Sequence, residues 1–514
     1  MERDGANKSL WQGIENYRPV AGLNIEKLYD IVIVGGGITG ITSALLLQSA
    51  GKKCLLLEAQ TLGFGTTGGT TAHLNTFFDT PYYKVSKNFG IENAQLLAHA
   101  AEEAMATIKK NISDYNIDCE YDTKDGYLFS INESQDKELD DIVESAQSFG
   151  VQVNFTNHSP FPIPYLKLAV FNNQAQFNPI QYIFSMARAF EELGGVILQH
   201  HRVSDIVQED DDQLSISANN KVFTATKVIY ATHIPPGVNL LHFRCAPYRS
   251  YAIAFKLRGE YPDALGYDMN DPYHYYRTQK VEDQLYLIAG GEDHKTGHEE
   301  NTDNCFRRLE SHVRSYFDVE SIDFKWSSQY YEPADGLPYI GKLPGSEGNI
   351  YVATGFGGNG MIYGTLAATI LSDIINNGKS IYQDLFDPNR IKPIAGFANF
   401  VKEGADAVAS FVKGKFNTEK IKTLTEIAAG EAKILKQDGH ILAIYKDDAR
   451  QLHVLNAACT HTKCTVGWNN SEKTWDCPCH GARYSPEGEV LNGPAQVNLE
   501  NVDWEEKTSK SSPS

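Results

Sequence analysis

Two short segments near the end of the chain constrain its fold more than any other feature. They are Cys459-Thr460-His461-Thr462-Lys463-Cys464 and Cys477-Pro478-Cys479-His480-Gly481. Each offers one thiolate and one imidazole, as Cys459/His461 and Cys477/His480, and each adds a spare cysteine, Cys464 or Cys479. Two Cys on one iron and two His on the other is the ligand set that raises a [2Fe–2S] centre to roughly −150 to +300 mV. Thiolate holds the ferric ions, and neutral imidazole on the outer iron makes the cluster less negative and easier to reduce. A Cys2His2 zinc site is the alternative, because C-x-H and C-x-x-H spacings also fit Zn²⁺. Zinc gives no reason for the two extra cysteines, or for Pro478 and Gly481 beside them.

These loops closely resemble the C-x-H-x-x-C and C-x-C-H-G loops of the Rieske ferredoxin family. The resemblance implies that Cys459, His461, Cys477 and His480 hold the cluster, with a Cys464–Cys479 disulfide tying the two loops together. Rieske proteins of respiratory complexes usually follow the second loop with a serine, and place a tyrosine two residues later. Both donate hydrogen bonds to sulfur. Here those positions are Ala482 and Tyr484. Losing one donor destabilises the more negative reduced state, so the potential is expected below the top of the family range. Gly493-Pro494-Ala495 resembles the loop that covers the cluster in this family, and reads equally well as an ordinary turn.

At the other end of the chain, the apolar β-branched run from Tyr29 to Val34 reads as a buried parallel strand. It leads into Gly35-Gly36-Gly37-Ile38-Thr39-Gly40, then a helical stretch from Ile41 to Ala50 and a second strand, Lys53 to Leu57, ending on Glu58. This is G-x-G-x-x-G in strand–helix context, with an acid about 20 residues on for ribose hydroxyls. Gly35 permits the turn, Gly37 lets backbone approach a pyrophosphate, and Gly40 lets helix and strand pack closely. The helix N-terminus at Ile38 and Thr39 faces the phosphate charge. The motif does not separate FAD from NAD.

Three later segments do, by resemblance to the D-amino-acid-oxidase-like FAD-dependent oxidoreductases. Residues Gly63 to Ala72, with Thr66 and Thr67, look like the loop that wraps the flavin phosphates. Lys227 to His233 resembles the strand ending in Ala-Thr, here Ala231-Thr232, that passes the FAD. Asp335 to Gly341, followed by Asn349 to Met361, resembles the closing strand and glycine-rich turn at the isoalloxazine, carrying Gly355, Gly357, Gly360 and Met361. Val203, returning to the FAD sheet, is expected beside the cofactor. The resemblance covers roughly 28–390 and implies a fused arrangement: a Rossmann-like FAD-binding domain (α/β) interleaved with an antiparallel substrate domain, plus a C-terminal all-β Rieske domain.

The order of elements divides the chain into an irregular N-terminal arm (1–27), the flavoprotein (28–390), a linker (391–422) and the Rieske domain (423–507). FAD-binding parts are expected at about 28–80, 150–243 and 332–390, and substrate-side parts at about 81–149 and 244–331. In the linker, Phe397, Phe400, Val401, Val408, Phe411 and Val412 fall at helical spacing, with charges of both signs opposite. That reads as a docked helix, or as a membrane anchor, which the mixed charge disfavours. A net charge of −19 argues against nucleic acid as a partner. No run approaches the ~18 apolar residues of a membrane span, and a cytoplasmic protein is expected. Cys54, Cys119, Cys245 and Cys305 have no metal spacing and read as buried thiols.

For the chemistry, the resemblance implies hydride removal from a carbon bearing an amine or hydroxyl onto a non-covalently held flavin. Arg249 and Arg277 are candidates for pairing a substrate carboxylate, and His294 for taking a proton. Taken singly, each of these residues is better explained by aromatic packing or surface charge. The expected partners are a small-molecule substrate and a one-electron acceptor. A dehydrogenase whose electrons leave singly through the cluster competes with a redox sensor holding a vestigial pocket, and with an O2-using oxidase whose Rieske domain is structural.

Overall fold

The apolar run Leu28–Val34 is covered on both faces and forms the middle of a parallel sheet. Its path runs Tyr339–Lys342, Ile350–Thr354, Lys221–Tyr230, Leu28–Val34, Cys54–Leu57, Val196–Leu198. Every neighbouring pair is parallel except the outer Tyr339–Lys342; Gln213–Ala218 folds back antiparallel onto Lys221–Tyr230, and Val203–Asp210 pairs antiparallel with Gln213–Ala218. Helices Ile38–Ser49 and Gly360–Asn377 pack against each other. Both are apolar nearly all round, as buried helices must be. The computed structural model describes residues 3–503 apart from 14, 21–24, 211–212, 347–348, 391–426 and 438. The expected linker helix therefore lies outside the described residues.

A second, mostly antiparallel sheet runs Val319–Pro333, Cys245–Leu257, Gln284–Lys295, His274–Val281, Leu265–Asp268, Asp122–Ser130, Lys167–Gln176, His73–Leu74. It corrects the expected division of the chain. Val153–Phe155 and Lys167–Gln176, assigned above to the FAD-binding part, pair with each other, and Lys167–Gln176 pairs with Asp122–Ser130. Period-2 alternation marks such strands, but it does not say which sheet receives them.

The C-terminal part contains a three-stranded sheet (Ala432–Gln437, His440–Lys446, Leu452–Asn456) and a four-stranded one (Gly467–Asn469, Thr474–Asp476, Arg483–Tyr484, Val490–Asn492). Cys459, Cys477, Trp475 and Tyr484 share one apolar core there.

The N-terminal arm, expected as an irregular lead-in, is a buried seam. Trp11 Nε1 donates to Thr70 O at 2.6 Å, and Ser9 Oγ to Gly68 O at 2.6 Å. Ahead of them, Arg3 pairs with Glu472 at 3.2 Å, and Asp4 pairs with Arg483 at 2.8 Å. Arg483 also pairs with Asp476 at 3.0 Å, and Arg249 lies 3.8 Å from the same carboxylate. Arg3, Arg249 and Arg483 thus face Asp4, Glu472 and Asp476, all buried and balanced in charge. Charges removed from water persist only when paired, and breaking such a pair costs about 3–5 kcal/mol.

Burial alone would raise the Asp4 pKa, but Arg3, Arg483 and Arg249 hold it at about 2 against an ordinary 3.8. A depressed acid stabilises the fold fully above its unfolded pKa. The contribution of Asp4 should therefore be intact above pH ~4 and be lost as the pH falls toward about 2. Asp4→Ala should lower the thermal midpoint of the full chain at pH 7, with the difference from the parent narrowing on acidification. An equal difference at every pH would contradict this.

Candidate functional site

A cavity of about 620 Å³ opens among both large sheets and the C-terminal part. Gly35, Gly37, Ile38, Thr39, Glu58, Thr66, Thr67, Val203, Thr232, Gly357, Gly360 and Met361 line it. Gly40 and Gly355 lie behind the wall. A Cβ on Gly40 would sit 1.9 Å from Gly35 O, so only glycine lets this helix start so close to the strand. Gly355 backs onto Cys245 and Pro333. Glu58 takes the Gly36 N–H at 2.7 Å and the Gln60 N–H at 2.7 Å. Burial nonetheless pushes its carboxyl pKa up. Thr67 Oγ1 accepts the Ile38 N–H at 3.0 Å, and Thr66 Oγ1 donates to Gln329 O at 2.9 Å.

The opposite end is aromatic, with Phe77, Tyr267, Tyr273, Tyr275 and Tyr330 beside His73, Asn75 and Asp79. Tyr267 OH donates to Asn75 Oδ1 at 2.7 Å, so the 2.8 Å contact with His73 Nδ1 requires His73 to donate there. Burial holds His73 neutral, its pKa well below the ordinary range. Its Nε2 is then a buried acceptor without a protein partner. Asp79 Oδ2 takes the Gly358 N–H at 2.7 Å, and Asn359 Oδ1 takes the Asp79 N–H at 3.0 Å. The surface of Asp79 opens onto the cavity, and loss of bulk water pushes its carboxyl pKa up. No local signature announces Asp79, because its partners lie some 280 residues away.

None of the three expected catalytic side chains lines this cavity. Arg249 belongs to the buried charge cluster, where its Nη1 donates to Ser327 Oγ at 2.7 Å. Arg277 Nη1 donates to Thr71 O at 2.7 Å and Ala72 O at 3.1 Å, and its guanidinium lies 5.5 Å from the Trp11 ring centroid. It holds the end of the loop Gly63 to Ala72. His294 is bound by Tyr251 OH at 2.9 Å and Lys295 O at 2.7 Å, and burial lowers its pKa. Arg249 sits one residue out of register with the cavity-lining Ser250 and Ala252, whereas Arg277 shares the face of Tyr273 and Tyr275 but lies further along the strand, against Thr71 and Ala72.

A group of Asp268, His274 and half-buried His312 is drawn together by ion pairing and stacking, with His274 Nε2 at 3.5 Å from Glu292. His274 Nδ1 lies 2.9 Å from Asp268, and its pKa rises to about 9 because Asp268 and Glu292 outweigh burial. Its ring stacks on His312 at 3.7 Å, only 10° from parallel, so in-plane lone pairs cannot converge on one ion.

The four expected cluster ligands come together at the end of the C-terminal part. The His461 and His480 rings are 4.9 Å apart. His461 Nε2 donates to Gly237 O at 3.0 Å, which leaves Nδ1, buried and without a partner, as the free lone pair. A second nitrogen anchored on a carbonyl is the usual way a ligating imidazole is held neutral and oriented. The hydrogen bond with Cys477 pushes the Cys459 pKa down, although burial opposes this. Tyr484 OH lies 3.1 Å from Cys459 Sγ. Cys464 and Cys479 form a disulfide with Cα atoms 6.5 Å apart. Cys477 Sγ lies within 4.8 Å of both their sulfurs, but a bridged pair offers no thiolate. His242 packs edge-on to His461 at 4.6 Å and lies 5.7 Å from His480.

The two sites share a wall. Gln329 and Tyr331 line the large cavity. Gln329 Nε2 donates to Gly481 O at 2.9 Å, and Tyr331 OH donates to His480 O at 3.0 Å. Nothing in the local sequence around Gln329 marks this role.

The family model described as FAD dependent oxidoreductase (DAO) matches residues 30–374. The chain belongs to this family. A Rieske [2Fe-2S] domain model matches residues 418–503. YhfW of Bacillus subtilis (strain 168), named as a Rieske 2Fe-2S iron-sulfur protein, is 31% identical over 500 residues, covering 97% of this chain and 98% of its own length. Gamma-glutamylputrescine oxidoreductase of Escherichia coli (strain K12) is 25% identical over 378 residues, covering 70% of this chain and 86% of that protein. The crystal structure of glycine oxidase from Geobacillus kaustophilus shares the fold, with a TM-score of 0.60 at 17% identity over 71% of this chain and 100% of that one. This DAO-family member is an FAD-dependent oxidoreductase with a Rieske domain, and its cofactors are FAD and a [2Fe-2S] cluster. The glycine cradle at Gly35–Gly40 and the unpartnered His461 Nδ1 fit those groups.

With the cluster bound, the Tyr484 hydroxyl, 3.1 Å from Cys459 Sγ, would stabilise the more negative reduced state. About 1 kcal/mol of such selectivity is roughly 40 mV for one electron. Tyr484→Phe should therefore lower the midpoint potential by tens of millivolts with the cluster retained. An unchanged potential in a redox titration would contradict this role.

Proposed function

We propose that this DAO-family protein is a dehydrogenase for a small amine, with the electrons leaving singly through the Rieske domain to a one-electron acceptor. The observation that carries the reading is the shared wall, in which Gln329 and Tyr331 face the cavity and bond to the loop bearing His480. When bound, FAD accepts a hydride and the [2Fe-2S] cluster accepts one electron. Gly35, Gly37, Glu58, Thr66 and Thr67 would hold the dinucleotide, and Cys459, His461, Cys477 and His480 the cluster.

The substrate class follows from charge. Among the described residues lining the cavity, Arg202 lies at the Glu58 end and Lys84 pairs with Glu138 at 3.3 Å. The aromatic end holds the Asp79 carboxylate among tyrosines and no arginine. A carboxylate beside aromatic faces attracts an ammonium group, whereas the one lysine among the described lining residues, Lys84, is already paired with Glu138. The unpartnered His73 Nε2 offers that ammonium a hydrogen-bond acceptor. The names of two proteins similar to this chain, gamma-glutamylputrescine oxidoreductase and glycine oxidase, agree with a nitrogen-bearing substrate.

Anaerobic mixing with monoamines, diamines, amino acids and hydroxy acids should bleach the flavin with an amine. Asp79→Asn should raise KM for that amine about tenfold, the effect of losing about 1.4 kcal/mol of charge-assisted binding. Bleaching by hydroxy acids alone would remove the amine assignment. Bleaching by no compound would favour a sensor.

A further inference from the structure

The Rieske part does more than face the cluster. Leu491, Asn492, Gly493, Ala495 and Gln496 line the same cavity as the glycine-rich turn. The loop is fastened at the Glu58 end. Arg202 Nη2 donates to Val490 O at 2.8 Å, and Gln496 Nε2 donates to Ser204 O at 3.3 Å. Between those anchors lies Val203, itself in the cavity wall, and the Arg202 charge acts on Glu58. On its other flank the Gly237 N–H reaches Pro494 O at 3.4 Å. At its far end Val497 O accepts from Thr460 Oγ1 at 2.6 Å, between Cys459 and His461. Gly493 has open space before it, since a Cβ there would meet no atom within 4 Å.

An acid at the end of the second strand of a dinucleotide fold marks the ribose of the adenosine half. We infer that loop 490–497 of the Rieske part is a wall of the FAD site, lying against the adenosine half of the dinucleotide, with Gly493 leaving room for it. FAD is then bound by two parts of the chain at once. Its binding stabilises their docking, and docking tightens its binding by the same factor, as linkage requires. The inference stands whatever the substrate is.

Two measurements on the full-length chain with its cluster in place test it. Adding FAD to flavin-stripped protein should slow hydrogen exchange of the amides in 491–497 as well as those in 35–39. Gly493→Trp fills the open space, and should weaken FAD binding at least tenfold by flavin fluorescence while leaving the cluster's paramagnetic resonance signal unchanged. Protection confined to 35–39, or parental FAD affinity in the tryptophan variant, would overturn the inference. If Gly493→Trp fails to fold, Gln496→Glu serves. It brings a carboxylate toward an anionic cofactor and should weaken FAD binding in a salt-dependent way, whereas unchanged affinity would overturn the inference.

Discussion

Six buried charges at the meeting point of the second sheet, the C-terminal part and the N-terminal arm govern the rest of the molecule. Arg3, Arg249 and Arg483 neutralise Asp4, Glu472 and Asp476 where water does not reach. Ions so placed tolerate little displacement, because separation leaves each one buried and alone. Contributions from three distant stretches of chain therefore fix how the Rieske part seats on the flavoprotein. Glu472 Oε1 also accepts the N–H of Ser327 at 2.7 Å, two residues before Gln329 on the same strand. The charge cluster thus sits directly beside the shared wall.

From that seating the functional geometry follows. The strand Val319–Pro333 passes the charge cluster at Ser327, the cavity at Gln329 and Tyr331, and the loop of His480 through the hydrogen bonds of those two side chains. A connection made of one strand and two hydrogen bonds is short and rigid, as the proposed electron path requires. The fused domain is accordingly a structural partner of the flavin site, supplying one wall of it through residues 491–496.

Much of this was legible in the sequence, and the part that was not has a physical explanation. Local motifs carry their own geometry. G-x-G-x-x-G, the two Cys/His loops and the Ala-Thr strand end each specify a backbone shape and a chemistry within a few residues. The residues named from those motifs lie at the cavity or the cluster site, with Gly40 and Gly355 as packing residues behind the wall. Residue type on an alternating strand suggests Arg249, Arg277 and His294, but one step of register separates Arg249 from the cavity-lining Ser250, distance along the strand separates Arg277 from Tyr275, and all three lie outside the cavity lining. Asp79, Gln329 and Tyr331 carry no local signature because their roles come from partners more than 140 residues away. Arg3 and Asp4, in an arm that reads as irregular, meet their partners only when the whole chain is folded.

The central claim is that the two cofactor sites form one electrically connected unit within a single chain. Laser-flash reduction of the bound flavin under anaerobic conditions, with cluster reduction followed optically, tests it most directly. The account predicts a first-order transfer from flavin to cluster whose rate is independent of protein concentration and slower in Gln329→Ala. Cluster reduction whose rate rises with protein concentration, or no transfer at all, would contradict it.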